Sequence, residues 1–350
     1  MKAAYTPYTL DFKFEAKTSR ETMLHKETYF IKVWDENNPA HFGIGECALF
    51  KGLSAESDID YEKVLSHLCH TISTGEKFDV SRYSSICFGL ETALLAYDNH
   101  DPFLPFRSEW TKGESEITIN GLVWMGDSRQ MEERIAEKVA GGFHCIKIKI
   151  GGIDFNEELR LIDRLRLAFP PEKLTIRLDA NGAFTPEEAE GKLKRLAVLD
   201  IHSIEQPIKA GQWDKMAYLC ANSPIPIALD EELIGVHDTI EKRRMLYYIA
   251  PQYIILKPAL CGGFSGASEW IMQAEEKEIG WWITSALESN IGLNAIAQWA
   301  GSLGVDIPQG LGTGQLYSNN IPSPLTLNGE KLTYNPSGKW NMPQLNWIEP

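Results

Sequence analysis

Ile146-Lys147-Ile148-Lys149-Ile150 alternates apolar and cationic residues over five positions. Because the side chains of a β-strand point alternately to its two faces, Lys147 and Lys149 leave one face together and the isoleucines leave the other. An isolated Lys-x-Lys is more often an exposed edge strand, which lysines protect against unwanted pairing. The interpretation of this stretch therefore depends on the segments that follow it.

Four later segments with strand-like apolar cores each end in one charged residue. These residues are Asp179, Glu205, Asp230 and Lys257. They recur roughly every 25–30 residues, which is the length of one β-loop-α unit in a barrel. About eight such units fit the chain, so the pattern predicts a (β/α) barrel whose charged residues converge at the carboxyl-terminal rim. An open doubly wound sheet is the structural alternative, because it also alternates strands and helices.

Local signals mark individual elements of this pattern. Residues 117–122 are expected to form a short strand, and a short segment near Asp306-Ile307 completes the count of strands. Capping signals that start helices are expected at Asp127 with Gln130, Asp154 with Glu157 and Thr185 with Glu188.

The residues before this pattern follow a different plan. Residues 8–15 alternate apolar and polar side chains, residues 28–34 form a second strand, and helices are expected at 55–70 and 86–98. A meander followed by helices indicates an α+β unit. The last ~30 residues contain no further βα unit, and we expect them to return to this first region.

Composition and charge exclude several classes of partner. The 350-residue chain has a formal net charge of −14 and a pI near 5.1, which argues against binding to nucleic acids or anionic membranes. Six cysteines show no metal-binding spacing, and no apolar run approaches the ~20 residues of a membrane span. The first five residues do not begin a signal peptide. We expect a cytoplasmic protein with reduced thiols and a small-molecule partner, and the sequence does not define an oligomeric state.

The three strand-ending carboxylates predict a metal site. Asp179, Glu205 and Asp230 would supply oxygen ligands with room for water and substrate, which suits Mg²⁺, with Mn²⁺ as a substitute, better than zinc. Each carboxylate taken singly is more often a helix cap or a loop residue. Their shared spacing, with lysines on either side, favours the metal site. Glu231 and Glu232 are expected to be solvated or to act through other residues.

The lysines predict acid–base chemistry beside that metal. A lysine in a barrel mouth next to a cation has a depressed pKa, as a general base near pH 7 requires. Lys149 is nearer the rim than Lys147, so we assign it the proton transfer. Lys147 would adjust the pKa of Lys149 or contact a carboxylate, and Lys257 would face the other side of the substrate. Arg177 shares the strand face of Asp179, and it would either hold a substrate carboxylate or pair with a metal ligand.

The chain resembles the muconate-lactonizing subgroup of the enolase superfamily along nearly its whole length. The stretches that carry the resemblance are Gly43-Ile44-Gly45-Glu46-Cys47, Gly52-Leu53-Ser54, Asn120-Gly121-Leu122, Lys147-Ile148-Lys149, Arg177-Leu178-Asp179-Ala180-Asn181, Ile204-Glu205-Gln206-Pro207, Asp230-Glu231, Leu256-Lys257-Pro258, Ser285-Ala286-Leu287-Glu288-Ser289-Asn290-Ile291-Gly292-Leu293 and Gly310-Leu311-Gly312-Thr313. The resemblance implies a modified TIM barrel formed by residues 113–317. It also implies an α+β capping domain of residues 1–112, completed by the tail 318–350.

The resemblance also implies a substrate and a reaction. Loops near Ser19-Arg20-Glu21 and Leu49-Phe50-Lys51-Gly52 would close over the barrel mouth. The residues expected to contact the substrate, in addition to Arg177, are Asn181, Ser285, Gly312 and Thr313.

Within the subgroup the resemblance is to dehydratases of menaquinone biosynthesis, which remove water from a cyclohexadiene carboxylate. N-acylamino-acid racemases and dipeptide epimerases are the alternative. Epimerases of this kind often carry an Asp-x-Asp pair after the last strand, where this chain has Asp306-Ile307-Pro308-Gln309. A non-catalytic barrel is disfavoured because five buried charges are costly without a function.

Overall fold

The computed structural model describes residues 1–17 and 22–350. The first region contains a three-stranded antiparallel sheet of β1 (Lys2–Lys17), β2 (Thr22–Asp35) and β3 (Asn38–Cys47). The helices α1 (Tyr61–Thr74) and α2 (Ser84–Asp98) follow it. The strands are longer than the sequence predicted. Helix α1 begins six residues later than expected, because Asp60 caps it by accepting a hydrogen bond from the Lys63 amide.

Helix α2 lies directly on the backbone of β3. A Cβ atom added at Gly45 would come within 1.9 Å of the Gly89 carbonyl oxygen, and one added at Gly43 would come equally close to that of Ala93. Any side chain at these two positions would push the helix away. The glycines in Gly43-Ile44-Gly45 are therefore required for close packing in this region.

The second region contains seven parallel strands in sequential order. A two-residue strand, β4 (Ile117–Thr118), precedes them, so the predicted strand at 117–122 is divided between two sheets. The parallel strands are β5 (Gly121–Val123), β6 (Cys145–Lys149), β7 (Thr175–Asp179), β8 (Ser203–Glu205), β9 (Ile227–Leu229), β10 (Tyr253–Leu256) and β11 (Gly280–Ile283). The helices that accompany them are α3 (Ser128–Ala140), α4 (Phe155–Ala168), α5 (Pro186–Ala197), α6 (Trp213–Asn222), α7 (Thr239–Ile249), α8 (Gly263–Glu275) and α9 (Asn290–Leu303).

A two-residue segment joins the edges of this sheet. Gln309 forms a parallel bridge with Ile119, and Gly310 forms another with Thr284. The Gln309 side chain also accepts a hydrogen bond from the Ile283 amide, at 2.7 Å. The sheet is thus closed into the predicted barrel, but its eighth position lies at 309–310 rather than at Asp306-Ile307.

Local sequence signals explain how several barrel helices begin. Asp127 with Gln130 and Thr185 with Glu188 form the two expected capping boxes, which start α3 and α5. Asp154 caps α4 by accepting from the Asn156 and Glu157 amides. The Glu157 carboxylate accepts instead from the Ser128 hydroxyl, so the capping box expected there is absent.

The chain after the barrel contacts both regions. The strands β12 (Leu325–Asn328) and β13 (Lys331–Tyr334) form a hairpin that pairs with β4. Further on, Tyr5 and Ile348 exchange backbone hydrogen bonds of 3.1 and 2.8 Å. The six cysteines are buried free thiols. In the described ranges, every helix is too short or too polar to cross a membrane.

Candidate active site

The ends of adjacent strands bring the predicted charged residues together. Lys149 on β6, Asp179 on β7 and Glu205 on β8 are direct neighbours in the parallel register. Asp230 follows β9 and Lys257 follows β10 without an intervening residue. Because parallel strands end at the same rim, these side chains meet at one mouth of the barrel.

Each of the three lysines is bound to a carboxylate. The Lys147 amine lies 2.6 Å from Glu205 Oε2 and 3.0 Å from Asp179 Oδ2. The Lys149 amine lies 3.0 Å from the same Asp179 oxygen, and Lys257 forms an ion pair with Asp230. Of the two roles considered for Lys147, the contact with a carboxylate is the one observed.

These ion pairs determine the protonation of two lysines. Burial alone would lower the pKa of Lys147, but attraction to Asp179 and Glu205 outweighs it and raises that pKa. Lys257 behaves in the same way, with Asp230 as its strongest attractive partner, and its pKa is also raised. For both residues the nearest charged groups are carboxylates, and their attraction outweighs the effect of burial.

The carboxylates do not share one electrostatic environment. Burial opposes ionisation of Asp179, yet Lys147 and Lys149 hold its pKa well below the usual range. Burial and repulsion from Asp179 raise the pKa of Glu205 to about 7. Carboxylates this close together carry a repulsion that a divalent cation relieves, and their oxygen donors suit Mg²⁺.

The present arrangement of these side chains is set by the lysines. In the part of the chain that the structure describes, no three Asp, Glu, His or Cys residues are already grouped around a common point for a metal ion. Lys147 lies between Asp179 and Glu205, and Lys257 holds Asp230. The donor set fits Mg²⁺, but the carboxylates would have to turn away from the lysines to bind it together.

A cavity of about 930 Å³, including its open mouth, lies over these residues. Its charged wall includes Lys147, Lys149, Lys257, Asp179 and Glu231. Four of the residues predicted to contact a substrate also line it, namely Asn181, Ser285, Gly312 and Thr313. Its apolar wall is formed by Phe50, Leu53, Leu122, Trp124, Leu260, Ala286 and Leu287. The cavity therefore combines a charged floor with a largely apolar enclosure.

Arg177 lies apart from the other predicted site residues. Its side chain points into the barrel as expected, but it is not among the described residues that line the cavity. The guanidinium lies 4.0 Å from the centre of the Trp282 ring and donates to the Pro308 carbonyl at 2.8 Å. An arginine held by an aromatic ring and a carbonyl below the rim does not contact a substrate carboxylate in the mouth.

Glu231 and Glu232 are buried rather than solvated. Glu231 lines the cavity and accepts a hydrogen bond from the Asn181 amide nitrogen at 3.1 Å. Asn181 accepts in turn from the Lys149 amine at 2.7 Å. Glu232 accepts from Gln206 at 3.1 Å, and the Gln206 side-chain oxygen accepts from the Asp230 amide at 3.2 Å. The only sequence signal for these two roles was adjacency to Asp230.

One of the two expected lid loops lies at the cavity. Phe50, Lys51, Gly52 and Leu53 form part of its wall, so a segment of the first region covers the barrel mouth. The other expected loop, Ser19-Arg20-Glu21, lies outside the described residues.

The fold and the site define a class of protein: a capped (β/α) barrel with lysines and carboxylates at the carboxyl ends of its strands. Residues 130–324 match the family model described as Enolase C-terminal domain-like. The chain belongs to the enolase superfamily, as the sequence resemblance indicated. The predicted fold class, a modified TIM barrel with an α+β cap, is confirmed.

Individual relatives sharpen this assignment. The chain is 44% identical to an o-succinylbenzoate synthase of Desulfotalea psychrophila, over 95% of this chain and 98% of that protein. The crystal structure of MenC from the same organism has a TM-score of 0.82 and 41% identity, covering 95% of this chain and 99% of the other. A dipeptide epimerase from Cytophaga hutchinsonii, complexed with Mg and a dipeptide, also has a TM-score of 0.82 and covers 99% and 98% of the two chains. Its 19% identity supports the fold alone.

Proposed function

We propose that this chain catalyses the Mg²⁺-dependent syn dehydration of 2-succinyl-6-hydroxy-2,4-cyclohexadiene-1-carboxylate to 2-succinylbenzoate, a step of menaquinone biosynthesis. The observation that carries the proposal is the 44% identity to an o-succinylbenzoate synthase over almost the full length of both chains. That length includes the loop at residues 50–53 as well as the barrel rim, and both line the same cavity. The proposed enzyme is a carbon–oxygen lyase acting in the cytoplasm on a small carboxylate.

Asp179, Glu205 and Asp230 are the proposed ligands of Mg²⁺, and we infer that Mn²⁺ can replace it. Their oxygen donors and the raised pKa of Glu205 support this assignment. The bound ion would supply positive charge beside the substrate carboxylate while negative charge develops there. We further propose that residues 113–317 carry this chemistry, and that residues 1–112 with 318–350 form the cap.

Lys149 is the proposed acid–base group. Its neutral amine takes the proton from the carbon next to the substrate carboxylate, and the electron pair of that C–H bond moves toward the carboxylate. The resulting ammonium returns the proton to the hydroxyl on the same face of the ring. The C–O bond breaks, water leaves, and the electron pair completes the aromatic ring. Asn181, 2.7 Å from the amine, supports the role because it can orient Lys149 during both transfers.

Lys257 is proposed to stay charged throughout. Its place four strands from Lys149 around the barrel suits a group that holds positive charge across the substrate from the base. From its side of the cavity it would stabilise the developing negative charge and face the substrate ring as a cation–π partner. Lys147, whose amine lies within 3.0 Å of both Asp179 and Glu205, would stabilise the negative charge of these carboxylates.

The remaining cavity wall fits the rest of such a substrate. The apolar side chains suit a six-membered carbon ring, and Ser285, Gly312 and Thr313 offer polar groups for a second carboxylate. Arg177 is not assigned a substrate contact, because it lies below this wall.

Racemisation of an N-acylamino acid, or epimerisation of a dipeptide, is the second candidate. The observation in its favour is that Lys149 and Lys257 line the same cavity, since a racemase needs an acid–base group on each face of its substrate. The epimerases and racemases among the relatives share 30% identity or less with this chain, which makes this the weaker candidate.

The deciding experiment is to assay the purified chain with the cyclohexadiene carboxylate and, separately, with a panel of N-acylamino acids and dipeptides. We expect 2-succinylbenzoate to form in the presence of Mg²⁺ and formation to stop after dialysis against EDTA. Turnover confined to the amino-acid panel would refute dehydration as the function. Full dehydration activity after EDTA treatment would refute the metal assignment.

A further inference from the structure

A buried carboxylate of the first region binds a loop of the barrel. Glu46, at the end of β3, is fully buried. Its oxygens accept hydrogen bonds from the Ser289 amide at 3.0 Å, the Ser289 hydroxyl at 2.5 Å and the Gly292 amide at 2.9 Å. Thr28 on β2 donates to the same carboxylate at 2.8 Å. Glu46 therefore connects the antiparallel sheet to the first turn of α9.

The loop bound by Glu46 continues directly into the cavity wall. Glu288, the neighbour of Ser289, accepts from the Ser285 hydroxyl at 2.6 Å and from the Ala286 amide at 2.8 Å. Ser285 also accepts a hydrogen bond from the Thr313 hydroxyl, at 2.7 Å. Ser285, Ala286 and Thr313 all line the cavity. An unbroken series of short contacts thus joins Glu46 to the wall facing the substrate.

The same loop contains a strained residue at the cavity. Leu287 has a φ of +65°, a left-handed conformation that an L-residue other than glycine adopts at a cost. Such a conformation persists only when its surroundings hold it. Here the Leu287 amide donates to Ser285 at 3.0 Å, and its carbonyl accepts from the Tyr317 hydroxyl at 2.7 Å. The strain indicates that the loop is held in one shape rather than relaxed.

A buried cation balances the two carboxylates. Lys26 on β2 is almost fully buried, and its amine has no hydrogen-bond partner among the described residues. Burial lowers the pKa of Lys26, whereas Glu46 and Glu288 act to raise it. Its attraction to both carboxylates offsets part of the cost of burying them.

We propose that Glu46 is a positioning residue: from the capping sheet it holds the loop 285–292 in the shape that presents Ser285 and Thr313 to the substrate. The consequence for catalysis rests on the proposed dehydration, because Ser285 and Thr313 are assigned there to the second carboxylate. Glu46 itself does not line the cavity, so any effect on the reaction must pass through this loop.

Glu46→Gln is the first test. The amide nitrogen of glutamine would face the amide of Ser289 or Gly292, where the carboxylate now accepts. We expect KM for the cyclohexadiene carboxylate to rise about 10-fold, with a much smaller change in kcat. Ser285→Ala should raise KM similarly, and the double variant should be no worse than the poorer single variant, because both changes affect one series of contacts. A folded Glu46→Gln with the KM of the unaltered chain, or effects that multiply in the double variant, would overturn the proposal.

Glu91→Gln is the matched control. Glu91 lies on α2 and accepts from the Phe264 amide at 2.5 Å and from the Ser265 amide and hydroxyl, so it too binds a barrel-helix start from the first region. Neither Phe264 nor Ser265 lines the cavity. This variant should lose stability like Glu46→Gln but leave KM unchanged. An equal rise of KM in Glu91→Gln would show that weakening any contact between the first region and the barrel raises KM. That result would refute a specific role for Glu46.

Hydrogen exchange tests the proposal independently of turnover. In Glu46→Gln the amides of 285–292 should exchange faster, whereas in Glu91→Gln the faster exchange should be confined to the start of α8. Unchanged exchange at 285–287 in Glu46→Gln would refute the proposal even in an inactive protein, while failure of the unaltered chain to dehydrate its substrate would refute only the proposed function. If Glu46→Gln does not fold, Thr28→Val replaces it, because it removes one donor to Glu46 and leaves every side chain of the loop 285–292 in place. It should give the same pattern with smaller changes.

Discussion

Two cations at the same height in the barrel have opposite surroundings. Lys147 and Arg177 are direct neighbours in the register of β6 and β7. Lys147 extends toward the mouth and binds Glu205 and Asp179, whereas Arg177 packs on Trp282 and binds the Pro308 carbonyl. The difference shows that facing the barrel interior does not by itself make a charged residue part of the active site. The partners that a charged side chain can contact determine whether it lies in the active site or packs lower in the barrel.

The largest effect that this contrast predicts is at Lys149, in the mouth. Lys149→Ala removes the proposed single base and should lower kcat for dehydration by about 10²- to 10⁴-fold. Lys257→Arg keeps the positive charge but supplies no usable base, so it should be affected less, although arginine is larger. Steady-state kinetics with circular dichroism of each variant would measure this. Equal losses in two folded variants that still bind Mg²⁺ would contradict the single-base assignment.

A second large effect is expected at the carboxylates of the same mouth. Asp179→Asn, Glu205→Gln and Asp230→Asn should each weaken Mg²⁺ binding by at least about 10-fold and lower activity in parallel, because each removes a charged oxygen donor. Calorimetric titration with Mg²⁺ alone gives the affinity without reference to turnover. Glu276→Gln is a matched surface control, since that exposed carboxylate pairs with Arg243 and neither residue lines the cavity. A variant that loses activity but keeps full Mg²⁺ affinity would remove its residue from the ligand set.

A smaller effect, of a different kind, is expected below the mouth. Arg177→Met should lower the free energy of unfolding by about 1–3 kcal/mol, because the Pro308 carbonyl loses its donor and Trp282 its stacked partner. KM should change by less than about twofold, since the residue does not line the cavity. Denaturant unfolding and steady-state kinetics measure the two quantities. A large rise in KM with an unchanged free energy of unfolding would instead indicate that Arg177 contacts the substrate.

The smallest expected effect is a pH dependence in the same lower region. Burial, and then the charge of Arg177, lower the pKa of His202 from 6.5 to about 4. Since the unfolded chain binds this proton more tightly, stability from His202 is complete above pH 6.5 and is lost as the pH falls toward 4. The loss should be about 2 kcal/mol, allowing for partial exposure of the ring. His202→Gln should flatten the unfolding free energy across that pH window, and an unchanged slope would contradict the assignment.

The sequence predicted the rim of the barrel well because the rim follows a simple rule. A parallel strand with a charged residue at its carboxyl end identifies the position, and Asp179, Glu205, Asp230 and Lys257 all followed it. The capping boxes at Asp127 and Thr185 were equally local, since three or four residues contain the whole signal.

The remaining features depend on contacts that are distant in sequence. The alternation of side chains along β7 predicted that Arg177 points into the barrel. It could not show that Trp282, about a hundred residues later, would hold the guanidinium below the mouth. The closing segment at 309–310 has no apolar run that would identify it, and bridges to Ile119 and Thr284, both distant in sequence, set its place in the sheet. The burial of Glu231 depends on its contact with Asn181, fifty positions earlier.

The pairing of the three lysines at the barrel rim with carboxylates has a consequence for how a substrate arrives. Lys147, Lys149 and Lys257 lie against Asp179, Glu205 and Asp230, so the charges of the lysines are largely cancelled at long range. The whole chain carries −14, and the proposed substrate is a dianion. Its diffusional approach is therefore opposed by the protein as a whole, and added salt should speed the encounter by screening that repulsion over a Debye length of about 8 Å. Attraction to Lys51, to the rim lysines and to the proposed Mg²⁺ acts at short range, once the substrate has reached the mouth.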